Sequence, residues 1–137
     1  MYPEQLVIPM KEELTDNGFE DLTSPEQVEE ALGRKGTTLA VVNSVCGCAA
    51  GSARPGVLTA LQLAEKGPDH KITVFAGFDY EATDKMRQHL MPYPPSSPSI
   101  GLFKDGQLVH FFERHDLEGQ SVSSIASDLM AVFDQYC

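Results

Sequence analysis

Residues Thr37 to Val45 form a short apolar, β-branched run, which ends in Cys46-Gly47-Cys48 and the small residues Ala49, Ala50, Gly51 and Ser52. Such a run predicts a buried parallel strand. The stretch from about Gly47 to Lys66 then reads as a helix, with Val57, Leu58 and Leu61 on its apolar face. A strand that hands a thiol pair to the start of a helix directs the chain to an α/β architecture. It is also a common way to build a protein redox site.

The remaining elements follow from local signals. Pro9 suits a first helical position, Met10 and Leu14 fall at helical spacing, and Asn17-Gly18 is a stop signal. Thr23-Ser24-Pro25-Glu26 offers a cap with proline at the start of a second helix, whose face is Val28, Ala31 and Leu32 before Gly33. Beyond Gly67-Pro68, Ile72 to Phe75 predicts a strand and Ala82 to Met91 a helix, broken by Pro92 to Pro98. Ile100 to Phe103 and Leu108 to Phe112 read as strands joined by a tight turn at Asp105-Gly106. Val122, Ile125, Leu129, Val132 and Phe133 mark a C-terminal amphipathic helix. This order predicts a central mixed sheet flanked by helices: crossovers give parallel strands, and the hairpin adds an antiparallel edge. The 137 residues are expected to form one domain, residues 1–35 as a helical extension and 36–137 as the core.

Charge and cysteine usage narrow the function. The net charge is -10, and residues 1–33 carry nine acids against one base. An acidic chain without a basic stripe is a poor candidate for nucleic acid or for an anionic membrane. The acidic segment reads as a solvated helix face, with a docking surface for basic partners as the alternative. No apolar stretch approaches the roughly 20 residues of a membrane helix. Met1 to Gln5 does not open a secretory signal, so a cytoplasmic location is expected. Three cysteines, an odd number, do not make a disulfide scaffold in a reducing compartment.

The motif permits thiol–disulfide exchange. The thiolate is the attacking form, and a helix N-terminus lowers a cysteine pKa through its unpaired N–H groups and partial positive charge. Cys46, the first thiol out of the strand, is the candidate nucleophile. Cys48 is placed to attack a mixed disulfide on Cys46 and to leave the pair oxidised. Gly47, without a Cβ, helps so short a ring to close. A strained ring predicts a relatively oxidising pair, suited to isomerisation or to removal of small-thiol caps. Two inert buried cysteines, or a soft-metal site using Cys46, Cys48 and Cys137, are the alternatives. Pro98, just before a strand, is either a loop proline or a cis proline facing the thiols, in which case Ser97 offers its backbone to an extended substrate. Arg54 either holds a thiolate or substrate carboxylate or is simply solvated. Pro55 either starts a helix or kinks one begun at Cys46. The histidines 70, 89, 110 and 115 lack metal-ligand spacing to the cysteines. Cys137 is a third redox thiol if the last helix returns it to the motif, and a dangling terminus otherwise.

Val41 to Gly51 with Ala53-Arg54-Pro55 resembles the active-site segment of the bacilliredoxins, thioredoxin-like proteins with a Cys-Gly-Cys motif. Leu6 to Met10, Glu13-Leu14, Val74 to Gly77, Pro95 to Ser99, Val109 to Phe111 and the final cysteine extend the likeness over nearly the whole chain. The resemblance implies a thioredoxin-like fold with an added N-terminal helical segment. It also implies removal of bacillithiol from S-bacillithiolated proteins, with weak disulfide isomerase behaviour. No tightly bound cofactor is implied; bacillithiol is the thiol co-substrate, and mixed-disulfide proteins are the partners. Cys46 would accept bacillithiol, Cys48 would resolve, and Ser97-Pro98 would match the cis-proline site. Ordinary thioredoxins carry Cys-Gly-Pro-Cys, a tryptophan where Val45 stands, and a buried acid near the place of Ala40. Those departures argue against a strong reductant. A general disulfide isomerase and a soft-metal-binding module are the alternative functions.

Overall fold

The computed structural model describes residues 2–137. At its centre is β2 (Thr37–Asn43), in which every residue is buried. Leu39-Ala40-Val41-Val42 has no polar alternation that would provide a solvent face, so the strand needs cover on both sides. β3 (His70–Phe75) runs parallel to β2, with Ala40 opposite Ile72 and Val42 opposite Val74. β4 (Ser99–Lys104) runs antiparallel along the other edge, with Ala40 opposite Gly101 and Val42 opposite Ser99. β5 (Gln107–Phe112) returns through a turn in which Asp105 has φ 50° and Gly106 φ 83°. These left-handed conformations match the twist of a two-residue hairpin. The two-residue β1 (Glu20–Asp21) joins the far side of β3 in parallel. Among the described residues the sheet order is therefore β1-β3-β2-β4-β5.

Side chains alternate across β2 and divide the core in two. Leu39 and Val41 pack with Val57 and Ala60 of α3 (Arg54–Leu63) and with Ile125, Leu129 and Phe133 of α6 (Val122–Tyr136). Ala40 and Val42 pack with Val28 and Ala31 of α2 (Pro25–Leu32) and with Ala82 and Met86 of α4 (Tyr80–His89). The start of α2 is a capping box: Ser24 accepts from the Gln27 N–H, and the Gln27 side chain accepts from the Ser24 N–H.

α3 and α6 approach closely at Gly56, where an added Cβ would lie 2.6 Å from Ile125 Cγ2. They also run in the same sense. Gly56 meets Ile125 near the start of both helices, while Leu63 and Ala64 share a cleft with Met130 and Asp134 near their ends. Cys137 packs against the core at that far end.

Several helices differ from the sequence expectation; α4 (Tyr80–His89), for one, starts and ends two residues before the expected Ala82 to Met91. α1 (Glu4–Thr15) begins at Pro3, whose carbonyl accepts from Leu6 and Val7 N–H, so Pro9 is internal rather than first. An interior proline costs about 3 kcal/mol. Burial of Val7 and Leu14, seven residues apart on one face, favours a continuous helix all the same. The helix that follows β2 has begun by Gly47 and widens into a π-type turn over Ala49–Ala53, with Arg54 N–H donating to Ala49 O. Pro55 thus stands in the first turn of α3, directly after a widened turn. A wider turn relieves the crowding that a proline ring imposes on the carbonyl four residues back. The helix then ends at Leu63, short of Lys66, because Ala64 is extended. Finally, α5 (Arg114–Leu117) is a single turn outside the sequence expectation, started by a capping box between Glu113 and Asp116. No helix among the described residues is long and apolar enough to cross a membrane.

The contact at Gly56 gives a direct test. Gly56→Val should destabilise the protein by at least about 1–3 kcal/mol, since Ile125 cannot retreat without moving α6. Gly67→Ala, with nothing within 4 Å of an added Cβ, should be near neutral. Urea unfolding monitored by circular dichroism measures both, and equal midpoints would refute the close-packing account.

Candidate active site

Beyond Asn43 the chain leaves the sheet, passes Ser44 and Val45, and enters a helix at Gly47. Cys46 caps that helix. Its carbonyl accepts from Ala49 N–H at 2.9 Å and Ala50 N–H at 3.4 Å, and its own N–H donates to Ser44 Oγ at 3.2 Å. The Sγ atoms of Cys46 and Cys48 are 2.7 Å apart, and both residues are half-buried free thiols. Gly47 is exposed, with open space where a Cβ would stand. The i, i+2 spacing therefore brings the two sulfurs together at the mouth of a helix.

Arg54 fixes this turn from inside. It is 2% exposed. Its Nη1 donates to Asn43 Oδ1 at 2.8 Å and to Ser44 O at 3.0 Å, and its Nε donates to the Glu13 carboxylate. Asn43 Oδ1 also accepts from Ser44 N–H at 2.9 Å, while Asn43 Nδ2 donates to Met10 O at 3.1 Å. The end of β2, the redox helix and α1 are thus joined through one guanidinium. The sequence offered Arg54 as a substrate contact or a solvated side chain. The structure instead commits it to interior partners, and it does not line the cleft at Cys46. Glu13 and Asn43, which complete this network, were not singled out from the sequence.

The two thiols differ electrically. Cys46 is held below the ordinary thiol range, first by the S–H of Cys48 and then by the Cys48 N–H. Burial opposes this, while the Arg114 charge and the Ala49 N–H assist it. Cys48 is pushed up, chiefly by burial, then by its hydrogen bond to Cys46 and by the charge on Cys46. Both sets of causes place the thiolate on Cys46.

Cys46 opens into a cleft of about 310 Å³ that Ser97, Arg87 and Arg114 also line. The Ser97–Pro98 peptide bond is cis. Val42 pairs with Ser99, so continuing the antiparallel register places Ser97 opposite Ser44, beside the thiol turn. Pro98 itself is buried at the head of β4. A second cis bond, Met91–Pro92, lies in the loop after α4. The site therefore gathers Cys46, Cys48 and Ser97-Pro98. Cys137 does not join them: the parallel course of α3 and α6 carries it to the opposite end of the helix pair, on the order of 30 Å away at 1.5 Å per residue. A Cys46, Cys48 and Cys137 metal set is accordingly not assembled. Among the described residues, Glu113, His115 and Asp116 form a cluster with ligand atoms within 4.8 Å, and it contains no cysteine. Of the other histidines, His110 lies tilted against Phe112 with ring centroids 4.6 Å apart, and His89 meets Glu29 at 2.6 Å. Arg87 and Arg114 escaped the sequence reading because only tertiary folding brings α4 and the end of β5 to the thiols.

A family model described as disulphide isomerase matches residues 2–137. Curated relatives include a bacilliredoxin of Cytophaga hutchinsonii, 58% identical over 98% of this chain and 99% of that protein. A bacilliredoxin of Bacillus cereus is 52% identical over 99% of this chain and 95% of its own length. Among solved structures, mitochondrial thioredoxin 3 of Saccharomyces cerevisiae has a TM-score of 0.57 at 14% identity, covering 85% of this chain and 94% of its own. Thioredoxin of Malassezia sympodialis has a TM-score of 0.56 at 15% identity, covering 87% of this chain and 90% of its own. The architecture is thus a thioredoxin fold with a helix added at the N-terminus.

Arg114→Gln removes a cation that favours the Cys46 thiolate, so it should raise the pKa of that thiol. The pH profile of Cys46 alkylation by iodoacetamide should move to higher pH, and the rate at neutral pH should fall. An unmoved profile would show that Arg114 does not act on Cys46.

Proposed function

The chain belongs to the bacilliredoxin family and is a thiol–disulfide oxidoreductase; from that premise we propose that it removes bacillithiol from S-bacillithiolated proteins in the cytoplasm. The observation that carries the reading is the unequal thiol pair, with the thiolate on Cys46 and its proton-bearing neighbour 2.7 Å away.

The steps follow from that inequality. The Cys46 thiolate attacks the bacillithiol sulfur of the mixed disulfide. A Cys46–bacillithiol disulfide forms, and the substrate protein leaves as its thiolate. Cys46 has then lost its negative charge. Burial still disfavours the Cys48 thiolate, but the hydrogen bond to Cys46 and the repulsion from it, which had helped to keep Cys48 protonated, both disappear, while the Arg114 charge remains. Cys48 therefore becomes easier to deprotonate only after the first exchange. Its thiolate attacks Cys46, a Cys46–Cys48 disulfide forms, and bacillithiol leaves as its thiolate. A thiol reductant returns two electrons to the pair. The electrons pass entirely through sulfur, so the cycle requires no tightly bound cofactor.

The backbone around Ser97-Pro98 supports an extended substrate segment beside Cys46 in this reading. Arg54 acts as a positioning residue for the turn that carries the nucleophile. The burial of its guanidinium and its bonds to Asn43 and Ser44 support that role.

Incubating the reduced protein with a bacillithiolated protein and following the adduct by mass spectrometry tests the proposal. Cys48→Ser should accumulate bacillithiol on Cys46. Cys46→Ala should abolish transfer, and persistent transfer by that variant would overturn the assignment. Much faster turnover of scrambled protein disulfides than of small-thiol adducts would favour a general isomerase instead.

A further inference from the structure

The chain contains four arginines, and they divide into two kinds. Arg34 is paired with Glu20 and Glu30, and Arg54 with Glu13. Arg87 and Arg114 instead line the cleft into which Cys46 opens. Arg87 comes from α4, and its Nε is buried without a hydrogen-bond partner among the described residues. Arg114 has only a loose partner, Glu118, 3.8 Å from its Nε, and both side chains are exposed. Among the described residues, none that lines the cleft is acidic. In a chain of net charge -10, two arginines without firm counter-charges beside the nucleophile form a local reversal of the overall field.

We propose that Arg87 and Arg114 form a carboxylate-binding subsite for the small-thiol half of the mixed disulfide. The inference rests on the thiol-exchange reading above and adds the substrate's charge. Its geometry follows from the reaction. When the Cys46 thiolate attacks, the small thiol becomes bonded to Cys46, the protein thiolate leaves, and the attacking charge is lost. The group held in the cleft at that point is the small thiol, and both arginines then face it without the thiolate. A carboxylate on that thiol accepts charge-assisted hydrogen bonds from them. The cleft, about 310 Å³, is of small-molecule rather than protein dimensions.

Three simple disulfides of similar size provide the test: 3,3′-dithiodipropionate (anionic), 2-hydroxyethyl disulfide (neutral) and cystamine (cationic). Cys46 adduct formation on the reduced full-length protein is followed by acid quench and mass spectrometry. Each rate is divided by that of a free small-molecule thiolate with the same disulfide, which removes differences in intrinsic reactivity. The overall negative charge alone would favour cystamine. The proposal expects dithiodipropionate to exceed hydroxyethyl disulfide by about tenfold or more. Added salt should shrink the ratio. Arg87→Gln should bring it towards one, and Arg87→Lys should keep part of it.

A second arm separates the two sources of a carboxylate. Peptide mixed disulfides carry it either on the small-thiol cap or on residues flanking the peptide cysteine. The preference must follow the cap. Equal normalised rates, a lead for cystamine, a ratio unchanged in Arg87→Gln, or a preference that follows the peptide would each overturn the subsite and leave thiol exchange standing. Absence of exchange with all three disulfides would remove the underlying reading, and the subsite with it.

Discussion

The Arg54 guanidinium joins three stretches of backbone that must be fixed together for the site to exist. Through Asn43 and Ser44 O it holds the end of β2; through its own backbone it belongs to the redox helix; through Glu13 it reaches α1. A cysteine at a helix mouth gains from the local N–H groups only while the turn that presents it stays in place. The turn here is short, and both Cys46 and Ser44 use its hydrogen-bonding groups. A single buried cation that satisfies the Asn43 side chain and the Ser44 carbonyl removes two ways in which the turn could relax. It also explains what the N-terminal helix contributes to a thioredoxin fold: Met10 O and Glu13 complete the network beneath the thiols.

The second organising constraint is the unequal charge on two adjacent sulfurs. Two thiolates at this separation would repel strongly, so one proton is shared unequally between them. Burial, the hydrogen bond to Cys46 and the Cys46 charge keep that proton on Cys48, while the Cys48 S–H first, and then the helix-mouth N–H groups and Arg114, stabilise the charge on Cys46. In the proposed cycle this inequality sets the order of attack: the loss of charge on Cys46 removes two of the influences that hold the proton on Cys48, while burial remains. Ala40 is buried among apolar residues.

Local signals made much of the fold legible. The β-branched run gave β2, Ser24-Pro25 gave the start of α2, and Asp105-Gly106 gave the hairpin, because each depends on neighbours in sequence. The likeness around Cys46 added the architecture and the thiol pair. What escaped depends on tertiary contacts. β1 is two residues, Glu20 and Asp21, with no apolar pattern, and it exists because the edge of β3 accepts it. Pro9 looked like a start signal, yet burial of Val7 and Leu14 extends the helix through it. Arg54 looked like a surface group because its partners, Glu13 and Asn43, lie distant in the chain. Arg87 and Arg114 become meaningful only when α4 and the start of α5 reach the thiols. The place of Cys137 likewise depends on the direction in which α6 crosses α3.

The central claim, that the reacting charge rests on Cys46 and the proton on Cys48, is most directly tested by peptide-resolved alkylation of the reduced wild-type protein as pH is raised. The account predicts that Cys46 labels first and reaches its plateau below the ordinary thiol range, with Cys48 following only at higher pH. Labelling of Cys48 ahead of Cys46, or titration of both thiols together in the ordinary range, would contradict it.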